Sequence, residues 1–169
     1  MDVRPLTALD APAMRYINEQ GLPGTGRVSV EEMADLLTLC ELALGVYREE
    51  RLLGFVLCLL PQTRYGSLNY AWFNQRYDAF LYVDRIAVAS DQRNNQIGSN
   101  LYHLVIAHAN SLNLPVTAEV SSNPPNPGSM RFHARHQFIK TGEIDHGDSS
   151  VTMMIRPMDA GGFDSIHRD

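Results

Sequence analysis

Residues 81–99 read LYVDRIAVASDQRNNQIGS. The first eight alternate as a strand, Leu81 to Val88. Alternation places Tyr82, Asp84, Ile86 and Val88 on one face and Leu81, Val83, Arg85 and Ala87 on the other. A polar loop, Ala89 to Gln96, then opens into a helix predicted from about Gly98 to Leu112, with Leu101, Leu104, Val105 and Leu112 as its apolar side. A loop that runs straight into a helix start offers unpaired backbone N–H groups and the positive end of a dipole, which suits a pyrophosphate. Arg93-Asn94-Asn95-Gln96-Ile97-Gly98-Ser99 stand at that junction. On spacing alone the signal is weak, and Gly and Ser there read first as helix-capping residues.

Downstream, Asn113-Leu114-Pro115 ends the helix and Val116 to Val120 reads as a strand. Ser121 to Pro127 carries three prolines and two asparagines and reads as a loop. A short helix, Gly128 to His136, follows, then two strands, Phe138 to Ile144 and Val151 to Arg156. The domain is expected to span 1–157, with a polar, Gly-containing tail at 158–169 that reads as mobile.

Upstream, Asp2 to Pro5 reads as an edge strand. Asp10 is the expected N-cap of a helix to Gln20, with Pro12 in its first turn. Gly21 to Gly26 breaks that helix. Ser29 and Glu32 form a capping-box pattern for a second helix carrying Met33, Leu36, Leu37 and Cys40. Leu44 to Arg48 and the almost wholly apolar Leu52 to Leu60 read as a hairpin, the second strand buried on both faces. Pro61 to Tyr77 is polar and aromatic at once and reads as a short helix or ordered loop. Its aromatics fit either sheet-edge packing or the wall of a substrate pocket.

With 169 residues, 44% hydrophobic and 20% charged, the chain suits one soluble domain. Its net charge of −5 is spread rather than gathered into a basic face, which points away from nucleic acid. The N-terminus lacks the apolar run of a signal peptide, and Phe55 to Leu60 is too short to span a bilayer. Cys40 and Cys58 read as buried thiols in a reducing compartment. A cytoplasmic protein without membrane contact is expected.

The loop at 93–99 resembles the cofactor loop of the GNAT N-acetyltransferase superfamily: Gln or Arg, two residues, Gly, one residue, then Gly or Ala. Arg93, Ile97 and Gly98 match, while Gln96 replaces the first Gly. A negative φ at Gln96 is expected to keep its N–H available to phosphate. The family's downstream motif is matched by Asn126, Ser129, Phe132, His133 and Phe138, with Gln137 where Gly is usual. The string Tyr82 to Ile86, with Asn123 to Ser129, resembles a bacterial subgroup of predicted acetyltransferases.

The resemblance implies an α/β (α+β) GNAT fold. Its central sheet would be mixed, mostly antiparallel, of six to seven strands flanked by helices and splayed between strands four and five. It implies acetyl-CoA as co-substrate and a small-molecule or peptide amine as partner. Backbone groups of Ile86, Ala87 and Val88 would hold the pantetheine arm. Arg93 and the amides of Asn94, Asn95, Gln96, Ile97, Gly98 and Ser99 would hold the pyrophosphate. Asn126, Ser129, Phe132 and His133 would complete the cofactor site. Tyr70, Trp72, Phe73 and Tyr82 are the expected acceptor wall.

Acetyl transfer needs a base for the amine proton, an N–H facing the thioester oxygen and an acid for the leaving thiolate. Asp84 and Glu119 are carboxylates inside strands, where charge is costly unless paired or wet, so each is a candidate base and each could instead be an ion-pair partner. His133 stands where relatives place a thiolate-protonating Tyr, and a near-neutral pKa would suit it. Tyr82 could position a water. No third ligand joins the histidines, so no metal is expected. No Ser or Cys stands in a nucleophile elbow. A non-catalytic acyl-CoA-binding or protein-interaction module is the competing reading, and a homodimer through edge strands is open.

Overall fold

The computed structural model describes residues 1–23 and 25–158. The expected tail at 158–169 lies, after its first residue, outside the described residues. Seven strands and five helices follow in the order β1 (Asp2–Pro5), α1 (Ala11–Gln20), α2 (Val30–Leu39), β2 (Leu42–Arg48), β3 (Arg51–Leu59), α3 (Leu68–Arg76), β4 (Leu81–Val88), α4 (Ile97–Ser111), β5 (Val116–Asn123), α5 (Pro127–Arg135), β6 (Ile139–Asp145) and β7 (Ser150–Arg156). The sheet order is β1-β2-β3-β4-β5-β7-β6. Every adjacent pair is antiparallel except β4 and β5, which run parallel.

The sheet buries both faces, and β3 feeds both. Phe55, Leu57 and Leu59 pack with Met14, Met33, Phe73 and Phe80 under α1, α2 and α3. Leu53, Val56 and Cys58 pack with Leu101, Tyr102, Val105 and Phe138 beneath α4. This accounts for the nearly unbroken apolar run of β3, since a strand covered on both sides has no polar face to alternate. Cys58 is buried as expected and Cys40 only partly so; both are free of a disulfide, and burial pushes the Cys40 thiol, which donates to the Leu36 carbonyl at 3.3 Å, up to about 12.

Helix starts follow their capping chemistry. Ser29 accepts from the Glu32 N–H (3.0 Å) and Glu32 accepts from the Ser29 N–H (2.9 Å), the expected box. Asp10 does not cap α1. It has helical dihedrals and no side-chain bond into that helix. It closes a box with Thr7 around a short 3₁₀ turn, accepting from the Thr7 N–H at 2.8 Å.

The apolar side of α4 is also corrected. Ile97, Leu101, Tyr102, Val105 and Ala109 are buried, whereas Leu104 and Leu112 are 39% and 41% exposed. The buried set is centred on Leu101 and Val105, which displaces the predicted stripe by part of a turn. The loop predicted at Ser121 to Pro127 is shorter, because β5 keeps pairing with β7 as far as Asn123 opposite Ser150.

The largest correction concerns β4. Leu57 pairs with Arg85 and the next residue, Cys58, pairs with Val83, so Asp84 is an extra residue in the ladder. Such a bulge reverses the face that follows it. Tyr82 and Ala87 therefore share one core, and Leu81, Val83, Ile86 and Val88 the other. The predicted grouping of Tyr82 with Ile86 and Val88 fails for this reason. Among the described residues no helix is long and apolar enough to cross a membrane.

Candidate active site

β4 and β5 pair only at Leu81–Val116 and Tyr82–Thr117. Beyond those two rungs the strands diverge, while β4 remains bonded to β3 as far as Val88. The β4 edge that faces β5 from Asp84 onward is thus left without a strand partner. Backbone N–H and C=O groups in that state need another partner. A cleft of about 1340 Å³ opens there, lined by Ile86, Ala87 and Val88 on one side and by Ala118, Glu119 and Ser121 on the other.

The mouth of the cleft is the start of α4. The first intrahelical bond runs from the Asn100 N–H to the Gln96 carbonyl (2.9 Å), so the amides of Ile97, Gly98 and Ser99 have no partner within the helix. Arg93, Asn94, Gln96, Ile97, Gly98 and Ser99 all line the cleft. Asn95 is turned away, its amide donating to Gln92 Oε1 at 3.2 Å. Arg93 donates to the Gln20 carbonyl at 3.3 Å, which ties the loop to the end of α1. Asn126, Ser129, Phe132 and His133 of α5 form the facing wall. Asn126 is also the N-cap of that helix, accepting from the Ser129 N–H at 3.2 Å.

Gln96 departs from the expected backbone. Its φ is +64°, and Gln137 has φ +70°, so both keep the left-handed conformation that glycine takes most readily. The cost for a residue with a side chain is roughly 1–2 kcal/mol, partly offset by the greater entropy that glycine loses on folding. Gln96→Gly and Gln137→Gly are each expected to raise unfolding free energy by about 1 kcal/mol. Urea denaturation checks this as a higher midpoint at unchanged slope, and Gln→Ala at the same positions should give no gain.

At the fork itself stand two acids. Tyr82 and Thr117 form the last parallel rung, and Asp84 and Glu119 lie two residues beyond it on their respective strands. Glu119 Oε1 accepts from the Tyr82 hydroxyl (2.8 Å) and from the Asn69 amide (3.1 Å). Its Oε2 is buried and has no hydrogen-bond partner among the described residues. Burial, then the neighbouring charge of Asp84, pushes the Glu119 carboxyl up to about 8, against the pull of the Tyr82 and Asn69 hydrogen bonds. Asp84 also lines the cleft but is held by Arg85, whose Nε donates to Oδ2 at 3.1 Å. Burial raises the Asp84 carboxyl, and the Arg85 charge opposes that.

His133 is brought to the cleft in a form other than the expected near-neutral acid. It is 3% exposed, ringed by Tyr102, Phe132 and Phe138. Its Nδ1–H donates to the Ser129 carbonyl at 2.8 Å, so neutral Nε2 accepts from the Tyr102 hydroxyl at 2.7 Å. Burial pushes its pKa down to about 4, leaving it neutral at pH 7.

The aromatic segment divides. Tyr70 and Phe73 are 1% and 0% exposed and pack against Tyr82, with ring centroids 5.2 and 5.7 Å away. Trp72 lies over Gly142 of β6, where any Cβ would sit 2.3 Å from its ring, and carries the Arg76 guanidinium 4.0 Å from the ring centre. None of Tyr70, Trp72 and Phe73 lines the cleft, nor does Tyr82, whose hydroxyl donates to the cleft-lining Glu119. The wall is made by Tyr65, Ser67 and Asn69 instead. Sequence reasoning missed Asn69 and Tyr102. A polar residue just after the Ser67 cap and a tyrosine on the buried side of α4 were the available signals.

A sheet forked between two parallel strands, with bare backbone on one prong and helix-start amides at the mouth, defines the acyltransferase class of this fold. The chain belongs to the acetyltransferase (GNAT) family, whose model matches residues 15–138. Similar solved structures include Ard1 from Thermoplasma volcanium (16% identity, 94% of this chain and 97% of that one, TM-score 0.75). Another is the ribosomal-protein-S18-alanine N-acetyltransferase from Escherichia coli (14% identity, 94% and 96%, TM-score 0.70). A third is Arabidopsis thaliana Naa50 in complex with the bisubstrate analogue CoA-Ac-MVNAL (18% identity, 90% and 96%, TM-score 0.68). No curated protein sequence matches the chain.

Proposed function

We propose that the protein is an acetyl-CoA-dependent N-acetyltransferase acting on a primary amine of a small molecule or peptide. The observation that carries this is Glu119, a buried carboxylate with one oxygen unpartnered, at the fork of a cleft whose other end is a row of helix-start amides. The residues present fit the cofactor. The amides of Ile97, Gly98 and Ser99 suit pyrophosphate oxygens, and the unpaired β4 edge at Ile86, Ala87 and Val88 suits the amide groups of a pantetheine arm. Asn126 and Phe132 close the opposite wall. Bound acetyl-CoA supplies an acyl thioester for the amine to attack.

The protein's own groups then have distinct tasks. Tyr82 and Asn69 hold Glu119 Oε1, which leaves Oε2 to take a proton from the incoming ammonium or amine. A carboxyl raised to about 8 is well matched to that exchange near neutral pH. Asp84 balances Arg85 and raises Glu119 by its charge. Neutral His133 fixes the Tyr102 hydroxyl on the cofactor wall and acts as a positioning residue.

Calorimetric titration with acetyl-CoA, paired with a thiol-release assay over a set of primary amines, tests the assignment. Saturable binding with amine-dependent thiol release is expected. Binding without release for any amine would favour a non-catalytic acyl-CoA-binding module, and no binding would overturn both.

A further inference from the structure

The acceptor end of the cleft is unevenly charged. Asp84 and Glu119 face it, and the cation beside them is already engaged. Arg85 donates from Nε to Asp84 Oδ2 (3.1 Å), and from Nη1 to the Gly26 carbonyl (2.6 Å) and Asn18 Oδ1 (3.2 Å). Its side chain is only 11% exposed. Asn18 is fully buried and also donates to the Gly26 carbonyl, so this knot is part of the packing between α1 and β4. Among the described residues, the other arginines lining the cleft are Arg93 and Arg135, which stand with the α4 loop and α5 at the opposite end. Tyr65, Ser67 and Asn69, which complete the acceptor end, are neutral.

Resting on the acetyltransferase reading, we propose that the acceptor is a cationic amine with no carboxylate next to the reacting nitrogen. Alkylamines, diamines, amino-acid amides and peptide N-termini belong to this class, and free α-amino acids do not. An ammonium group meets the unpartnered Glu119 Oε2 and satisfies it. An α-carboxylate carried on the next carbon is drawn into the field of the same two acids, with no free guanidinium among the described residues at this end to receive it. Like charges close together in a low-dielectric site repel strongly. Selectivity of this kind comes from the group left unpaired as much as from the contact made.

L-Alaninamide and L-alanine make a matched pair, with ethylamine and 1,4-diaminobutane beside them. Thiol release at pH 8.5 should favour alaninamide over alanine at least 100-fold in kcat/KM. Asp84→Asn frees Arg85 from its acidic partner, so the preference should fall at least tenfold, a change of ratio that a general loss of activity does not produce. Equal or faster acetylation of alanine by the unaltered protein would overturn the proposal. Acetylation of nothing in the set would overturn it too, and calorimetric binding of acetyl-CoA in the same sample shows whether the transferase reading falls with it.

Discussion

Glu119→Gln is expected to lower kcat/KM for amine acetylation by roughly 10²- to 10⁴-fold, the usual contribution of a positioned general base. The substitution is nearly isosteric, and its amide oxygen can still accept from Tyr82 and Asn69, so the loss should come from the missing proton acceptor. The pH profiles separate that cause from a structural one. In the unaltered protein kcat/KM should rise with pH through about 8 as Glu119 ionises, and the variant should lack this limb. Stability should move the other way. The folded-state pKa of Glu119 lies above its unfolded value, so the stability it contributes is fully present below roughly pH 4.3 and is lost as pH rises through about 8. The neutral glutamine escapes that loss, and the variant should melt higher than the unaltered protein at pH 9. Thermal melts from pH 5 to 9 check the second half of the prediction. A variant that keeps full activity, or a rising limb near pH 8 that survives the substitution with an alkylamine acceptor, whose own ammonium titrates well above that pH, would remove Glu119 from the role of base.

The contrast between Glu119 and His133 shows where sequence reading ended. Their places in a strand and in a motif make both of them candidates. Their ionisation depends on burial, which the sequence does not carry. The same desolvation pushes the glutamate up and the histidine down, which suits Glu119 to the base proposed for it and leaves His133 neutral instead of the near-neutral acid expected for the thiolate. The element order was readable because proline, glycine and capping residues punctuate it at 21–26, 29–32 and 113–115. The bulge at Asp84 was not readable. A single extra residue leaves the local pattern of β4 strand-like and appears only in the register against β3. The aromatic segment failed for a related reason. Tyr70, Trp72 and Phe73 could face core or cleft on sequence alone, and the choice is made by Phe80, just beyond the end of the helix, and by Gly142, far along the chain on β6. Gln96 hid a glycine-like backbone behind a polar side chain, so its left-handed φ could not be read from the residue type.

Gly98→Trp is expected to weaken acetyl-CoA binding at least 100-fold. Gly98 lines the cleft where the α4 amides emerge, with α5 directly opposite. A Cβ placed on it would lie 3.5 Å from the Phe132 ring, which is ordinary contact distance. Alanine therefore fits, and Gly98→Ala should bind as the unaltered protein does, with a small gain from better helix propensity. An indole does not fit between the Cβ position and Phe132. It must swing into the cleft, covering the amides of Ile97 and Ser99 and filling the passage between helix start and wall. Because the crowding is directed into open space, the two variants should melt within a few degrees of each other. Calorimetry with acetyl-CoA then isolates the binding term. Retained binding in the tryptophan variant would place the cofactor away from the α4 start, and loss of binding in the alanine variant as well would mean that the loop tolerates no side chain there. The paired result, alanine binding and tryptophan not, ties the helix-start amides to the cofactor through one residue whose packing partner is known.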